Sequence, residues 1–190
     1  MQKGTEVEFK SLLTEQEYKK LIAHFNNAKS DYQTNHYFDT KRFSLKALNA
    51  SLRVRERDDM ELTLKRKKGY NTDIKSVSIT KEQFKKLRET GVIEFEELAN
   101  DVSNLIKEQK LVNFLSLSTL RNFVPYASGI LNIDKSEYLG ITDYEIEYTS
   151  RSYHQGKADF IKIISEFGIQ YKKSDKKIKR AFNALKNLDE

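Results

Sequence analysis

Glu6-Val7-Glu8-Phe9-Lys10, close to the start of the chain, alternates charged and apolar side chains. Successive side chains of a β-strand point to opposite faces, so Val7 and Phe9 share one face and the three charged residues share the other. This pattern predicts a half-buried strand that carries one row of charges.

Three later segments repeat this alternation and carry charges of both signs. They are residues 51–57, which are rich in arginine, residues 61–67, which are rich in lysine, and Tyr144-Glu145-Ile146-Glu147-Tyr148. One interpretation is a sheet whose charged face is solvated. The other is a sheet that closes around its charged faces, where acids and bases meet with little water to screen them. Four such segments, together with helices that have apolar stripes to bury, favour the second interpretation.

Composition limits the class of protein and its partners. The 190 residues suffice for one core or at most two small domains, and the 11 Phe and 10 Tyr argue against disorder although 33% of the residues are charged. The absence of cysteine excludes disulfides and thiolate metal sites. No apolar run is long enough for a bilayer and residues 1–20 hold no signal-peptide core, so we expect a cytoplasmic protein. The net charge of +6 predicts an anionic partner: nucleic acid, an anionic membrane or a phosphorylated small molecule.

The order of predicted elements indicates one α+β domain over residues 1–190, with no repeat and no flexible linker. Further strands are predicted at 35–40, 72–79, 114–125, 130–138 and 142–150, besides those at 51–57 and 60–67. Helices are predicted from Thr14, from Thr80 to Gly91, over about 101–110, over 156–167 and from Ser174. About eight strands, mostly in antiparallel hairpins, and about five helices predict an eight-stranded antiparallel β-barrel, a tunnel with a charged interior surrounded by helices.

An ordered set of motifs resembles the CYTH domain, the family also called triphosphate tunnel metalloenzymes. Glu6-x-Glu8-x-Lys10 is similar to the family's E-x-E-x-K signature. Further along, the resemblance continues through Tyr37-Phe38-Asp39-Thr40, Leu52-Arg53-Val54-Arg55, Leu62-Thr63-Leu64-Lys65-Arg66-Lys67, Arg121, Asp134 and Glu145-x-Glu147. The first motif alone is weakly specific, whereas the ordered set covers nearly the whole chain.

The resemblance implies a tunnel that binds a triphosphate with Mg²⁺ or Mn²⁺. Oxygen ligands suit these hard cations, so the expected metal ligands are Glu6, Glu8, Glu145, Glu147 and Asp134, the last of which could instead orient a base. The expected phosphate-binding residues are Lys10, Arg53, Arg55, Lys65, Lys67, Arg121, Lys177 and Arg180. Lys177 and Arg180 are equally compatible with a solvated helix face. Glu8, Lys10, Arg55 and Lys65 are the expected catalytic residues. The number of bound metals, one or two, stays open. The predicted strand 72–79 carries no acidic residue except Asp73 at its edge, and so offers no clear further metal ligand.

Three functions are compatible with this resemblance. We expect a metal-dependent hydrolase in which activated water attacks the terminal phosphoryl group of inorganic triphosphate or of a small organic triphosphate, such as thiamine triphosphate or a nucleotide. The alternative is a class IV-type adenylate cyclase, and the third is a non-catalytic polyphosphate or nucleotide binder. The expected partner is a small-molecule triphosphate rather than a membrane, and a homodimer is kept as an option. Nucleic acid ranks last because the aromatic residues lie opposite the charged rows.

Overall fold

The computed structural model describes residues 7–69, 71–107 and 109–188, so Glu6 lies outside the described residues. The strands are β1 (Val7–Leu13), β2 (Lys29–Thr40), β3 (Ala50–Glu56), β4 (Met60–Lys68), β5 (Asn71–Ser78), β6 (Leu111–Tyr126), β7 (Gly129–Tyr138) and β8 (Ile141–Ser150). The helices are α1 (Glu15–His24), α2 (Ser44–Ala47), α3 (Lys81–Thr90), α4 (Glu96–Ile106), α5 (Tyr153–Glu166) and α6 (Lys177–Leu188).

The eight strands form one antiparallel sheet in the order β1-β8-β7-β6-β2-β3-β4-β5. This confirms the α+β class and the number of strands. The hydrogen-bonded order begins at β1 and ends at β5, so over the described residues it is an open series, whereas the sequence predicted a closed ring. Over the described residues there are six helices, one more than predicted, because the short α2 was not expected.

The chain forms two compact units. One, called the terminal unit here, comprises Met1–Tyr32 and Ser118–Glu190, and the other, the central unit, comprises Gln33–Leu117. The long strands β2 and β6 each run from one unit into the other. The prediction of a single domain over residues 1–190 remains a prediction.

In the terminal unit, α1 and α5 cover the apolar face of β1, β7 and β8. The core of this unit consists of Leu13, Leu21, Phe25, Leu131, Ile133, Ile146, Tyr148, Phe160, Ile163, Phe167 and Ile169. The predicted capping box begins α1: the Thr14 backbone N–H donates to Glu17 Oε2 at 2.6 Å, and the Glu17 N–H donates to Thr14 Oγ1 at 3.2 Å. Burial of the apolar face fixes which side of these strands is left for charges.

In the central unit, α3 and α4 cover the apolar face of β3 and β4. Its core includes Leu52, Val54, Leu62, Leu64, Phe84, Leu87, Leu98, Val102 and Ile106. Helix α3 has the predicted capping box at Thr80 and Gln83, and it ends at Gly91, whose φ of 75° is left-handed. The charged face of β3 and β4 is therefore the face that the helices leave uncovered.

Several boundaries differ from the sequence prediction. Helix α4 spans 96–106 rather than about 101–110, because Leu98, Val102 and Ile106 form its buried stripe and acidic residues occupy its first turn. Helix α6 begins at Lys177, so Ser174 lies too far ahead to cap it. Helix α2 exists because buried Asp39 accepts hydrogen bonds from the backbone N–H groups of Leu45 and Lys46. In the described part of the chain, no helix is long and apolar enough to cross a bilayer.

Candidate functional site

The polar face of the terminal unit is built by strand register. Lys10 of β1 lies directly opposite Glu147 of β8, and Glu145 lies opposite Asp134 of β7. Asp134 in turn lies opposite Arg121 of β6. Directly opposed residues share a face in an antiparallel sheet, so these five charged side chains form one continuous row.

Arg121 joins two of the acids in this row. Its Nε donates to Asp134 Oδ1 at 2.9 Å and one terminal nitrogen donates to Asp134 Oδ2 at 2.7 Å, a bidentate pair. The same terminal nitrogen donates to Glu147 Oε1 at 3.2 Å. Burial alone would lower the pKa of Arg121, but its hydrogen bonds and charge interactions with Asp134 and the attraction of Glu147 raise that pKa well above its ordinary value.

Helix α6 adds two cations to the same row. Lys177 Nζ donates to Asp134 Oδ2 at 2.8 Å and to Glu145 Oε1 at 2.6 Å. Arg180 donates to Glu145 Oε2 at 2.7 Å and makes two bonds to Asp143, at 2.9 and 3.0 Å. Burial opposes ionisation of Glu145, yet Lys177 and its other donors hold the pKa of Glu145 below its usual value. Glu145 is therefore a fixed anion.

Glu147 has a different environment, although it is only two residues further along β8. Burial, with repulsion from Glu8 and Asp134, raises the pKa of Glu147 despite the attraction of Arg121 and Lys177. Arg121 and Asn132 both donate to Oε1, Asn132 at 3.3 Å, and no described residue donates to Oε2. Glu147 can therefore accept a further cation.

These contacts test whether a divalent metal fits. Glu8 is half exposed, 4.0 Å from Lys10 Nζ, so its carboxylate and that of Glu147 keep oxygens available. Asp134 and Glu145 are 0% and 1% exposed, and Arg121, Lys177 and Arg180 already neutralise them. Across the described ranges no three acidic, imidazole or thiol groups converge as a ready metal site. Glu8 and Glu147 thus fit a metal, whereas Asp134 and Glu145 hold cationic side chains.

The polar face of the central unit carries arginines from β3 and lysines from β4. Arg53 lies opposite Thr63, and Arg55 lies opposite Glu61. Arg55 Nε donates to Asn35 Oδ1 at 3.3 Å. Lys65 is half-buried on this face, while Lys67 is exposed near the end of β4.

Two of the arginines on this face have unfavourable surroundings. Burial lowers the pKa of Arg55, and repulsion from Arg53 and Arg57 lowers it further. The Nε of Arg53 is buried and donates to no group within the described residues. A buried donor without a partner is costly, so this face is suited to an anion that brings acceptor oxygens.

Comparison with known protein families decides the family, because the family model described as CYTH domain matches residues 4–182 of this chain. The chain belongs to the CYTH domain family. It is 31% identical to the Bacillus subtilis (strain 168) protein named "Putative triphosphatase YjbK", over 96% of each chain.

Two solved structures share the fold of this CYTH chain. A "putative adenylate cyclase" from Bacillus halodurans is 32% identical, with a TM-score of 0.74, over 96% of this chain and 100% of the other. A protein from Hippeastrum, described as "Putative adenylyl cyclase HpAC1" with a dominant triphosphatase activity, is 21% identical with a TM-score of 0.75. That match covers 95% of this chain and 96% of the other.

Three polar residues of the CYTH chain belong to these clusters but were not predicted. Asn132 contacts Glu147, Asp143 pairs with Arg180, and Ser174 donates to Glu145. Asn132 and Asp143 each lie two positions before a predicted acid, so the alternation of the strand could have identified them. Ser174 lies outside any strand, and no sequence pattern indicated its contact.

Proposed function

We propose that this CYTH chain is a divalent-metal-dependent hydrolase of triphosphate-containing substrates, which releases the terminal phosphoryl group as orthophosphate. The similarity to the Bacillus subtilis protein, whose printed name is that of a triphosphatase, supports this reaction class. The dominant triphosphatase activity stated for the Hippeastrum protein agrees with it. The charges of the two polar faces provide the physical support.

The observation that carries the proposal is the surroundings of two arginines on the basic face of the central unit. Arg53 offers a buried Nε donor, and Arg55 is held close to like charges that weaken its protonated form. A chain of phosphate groups supplies several negative charges and many acceptor oxygens, which relieve both costs at once. Lys65 adds a compact charge on the same face.

The terminal unit supplies the groups that a metal requires. Glu8 and Glu147 are the described carboxylates that fit Mg²⁺ or Mn²⁺, and the predicted ligand Glu6 lies outside the described residues. A bound divalent ion neutralises phosphate charge and lowers the pKa of a coordinated water. Lys10, directly opposite Glu147, places a positive charge beside the transferring phosphoryl group. Arg121 orients Glu147 and makes a bidentate ion pair with Asp134.

The roles predicted for Lys177 and Arg180 are revised in this proposal. Both were expected to bind phosphate, and between them they form ion pairs with Asp134, Asp143 and Glu145. We assign them to positioning the acidic cluster. The prediction that Asp134 and Glu145 bind metal stays a prediction, and it requires the cations of α6 to withdraw.

A substrate panel tests the proposed reaction. Purified protein is incubated with tripolyphosphate, thiamine triphosphate, ATP or GTP under Mg²⁺, Mn²⁺ or EDTA, and orthophosphate is measured. We expect metal-dependent release of orthophosphate, reduced about 100-fold by Arg55→Ala. Arg42→Ala, which removes an exposed arginine of the same unit, is the matched control and should have no effect. No orthophosphate from any substrate under either metal contradicts the proposal.

The second candidate function is an adenylate cyclase, because the Bacillus halodurans structure carries that description at 32% identity. In that reaction a ribose hydroxyl attacks the α-phosphorus, and pyrophosphate leaves. The two functions are separated by the products from ATP. Cyclic AMP with pyrophosphate identifies the cyclase, and ADP with orthophosphate identifies the hydrolase.

A further inference from the structure

A cavity of about 540 Å³ lies in the terminal unit, between β1, α5 and the segment 171–174. Its volume is within the range of small-molecule sites, which is roughly 300–1,000 Å³. Its lining includes aromatic and aliphatic side chains, among them Tyr153, Phe160 and Tyr171. Its lining also includes Glu8 and Lys10, which belong to the candidate site described above.

The walls of this cavity are fixed by contacts within the unit. Phe9 of β1 packs on Phe160 with ring centroids 6.1 Å apart and on Tyr153 at 5.6 Å. Helix α5 can come this close because Gly156 has no side chain, and a Cβ there would lie 2.8 Å from the Phe9 ring. The aromatic wall is therefore held in place before any ligand binds.

The segment 171–174 forms the opposite wall and is tied to β1. The Leu12 backbone N–H donates to the Lys172 carbonyl at 3.0 Å, and the Lys172 N–H donates to Ser11 Oγ at 2.8 Å. Ser174, which also lines the cavity, accepts a hydrogen bond from Arg180 at 2.7 Å and donates to Glu145. The cavity thus borders the charged row directly.

The lining indicates the class of ligand. Tyr171 is 59% exposed and Tyr153 is 53% exposed, so two large aromatic faces border open space. Flat rings stack favourably on such faces. The lysines Lys10, Lys157 and Lys173 also line the cavity and attract an anion. A molecule with one flat ring and one phosphate chain suits both the aromatic and the basic side chains.

We propose that this cavity binds the organic part of an organic triphosphate, a flat heterocyclic base, with the phosphate chain beginning at Lys10. The inference rests on the proposed hydrolase function and adds substrate selection to it. Tyr153 and Tyr171 select the substrate by stacking on the base. Inorganic triphosphate lacks this part and does not use the cavity.

The first test compares substrates in aromatic variants. The ratio of kcat/KM for ATP, GTP or thiamine triphosphate to kcat/KM for tripolyphosphate is measured in wild type, Tyr153→Ala and Tyr171→Ala. We expect the ratio to fall about tenfold for at least one organic substrate, because base stacking is lost. Tyr32→Ala removes an equally exposed tyrosine, 58%, elsewhere in the same unit and should leave the ratio unchanged. An unchanged ratio in both cavity variants overturns the inference.

A second test does not depend on turnover. Wild-type protein in EDTA is irradiated with 8-azido-ATP, and the labelled peptides are identified by mass spectrometry. We expect labelling of the peptides that contain Tyr153 and Tyr171, competed by ATP and reduced by Tyr171→Ala. Labelling elsewhere, or no labelling that ATP competes, overturns the inference.

The two tests separate failure of the inference from failure of the proposed function. If wild type releases phosphate from tripolyphosphate while both tests of the cavity fail, the hydrolase stands and the base subsite is wrong. If wild type hydrolyses nothing while ATP-competed labelling maps to the cavity, the proposed reaction is wrong and the base subsite stands.

Discussion

The polar faces of the two units are built alike, but their charges are paired differently. On the polar face of the terminal unit the buried acids have cations: Arg121 and Lys177 reach Asp134, while Lys177 and Arg180 reach Glu145. In the central unit the arginines of β3 lie beside one another, and the buried Nε of Arg53 donates to no group among the described residues. The first face is close to charge balance within itself, and we propose that the second binds an anion.

Alternation of charge along a strand therefore does not by itself identify a binding face. Buried ion pairs give the polar face of the terminal unit a structural role beside its proposed metal-binding role, since removal of one member leaves a buried charge unpaired. Like charges in the central unit repel one another, and in the proposed function a bound polyanion relieves that repulsion. The two faces should therefore respond in opposite ways to substitution.

The largest expected effect is a loss of catalysis when Glu147, the acid of the terminal unit that can accept a further cation, is replaced. Glu147→Ala should lower kcat for tripolyphosphate by about 100- to 1,000-fold, because it removes a carboxylate that fits the metal. Glu137→Ala, at an exposed position of β7, serves as the control. Activity of Glu147→Ala within threefold of wild type would show that Glu147 has no role in catalysis.

The next effect distinguishes the balanced face by its stability. Lys177→Met leaves Asp134 and Glu145 short of a cation in a buried setting, and the free energy of unfolding should fall by about 3 kcal/mol. Lys179→Met breaks an exposed pair on the same helix and should cost less than about 1 kcal/mol. Urea unfolding measures both, and equal losses would remove the distinction between the faces.

A smaller effect on the free energy of unfolding is expected from the polar face of the central unit. Tripolyphosphate in EDTA should raise the free energy of unfolding of wild type, by about 2.7 kcal/mol at 100 times its Kd. Arg53→Gln should lose most of this gain while the free protein keeps its stability, because no described partner is removed from the Arg53 Nε. If Arg53→Gln destabilises the free protein as strongly as Lys177→Met does, the central face is structural as well.

The smallest effect is the pH dependence of Glu145. Its folded-state pKa is lowered, so its contribution to stability is present above the ordinary glutamate pKa and is lost as pH falls through the folded value. Glu145→Gln in EDTA should therefore lose about 1–2 kcal/mol at pH 7, and the difference from wild type should shrink toward pH 3. A loss that is constant between pH 3 and 7 would indicate a packing effect instead of a charge effect.

Features governed by local chemistry were predictable from the sequence. The strand alternation of Glu8 and Lys10 and of Glu145 and Glu147 follows a period of two residues, which is visible in a short window. The capping box at Thr14 needs only two residues three positions apart. Both predictions are confirmed because no distant part of the chain competes with them.

Features set by the approach of distant elements were not predictable. Lys177 lies 43 positions from Asp134, and its residue type fits a phosphate ligand as well as an ion pair. Only the position of α6 on the polar face makes it a partner for the acids. The pKa values of Glu145 and Glu147 diverge for the same reason, because α6 and Ser174 supply donors to one and not to the other.

The division of the chain has a consequence for synthesis. The central unit is contiguous, Gln33–Leu117, while the terminal unit needs both the first strand and the last helix. During translation the anion-attracting arginines emerge well before α6 exists. A nascent chain therefore has Glu145 without Lys177 and Arg180 until α6 has been translated, and a product truncated before Lys177 lacks both of these cations.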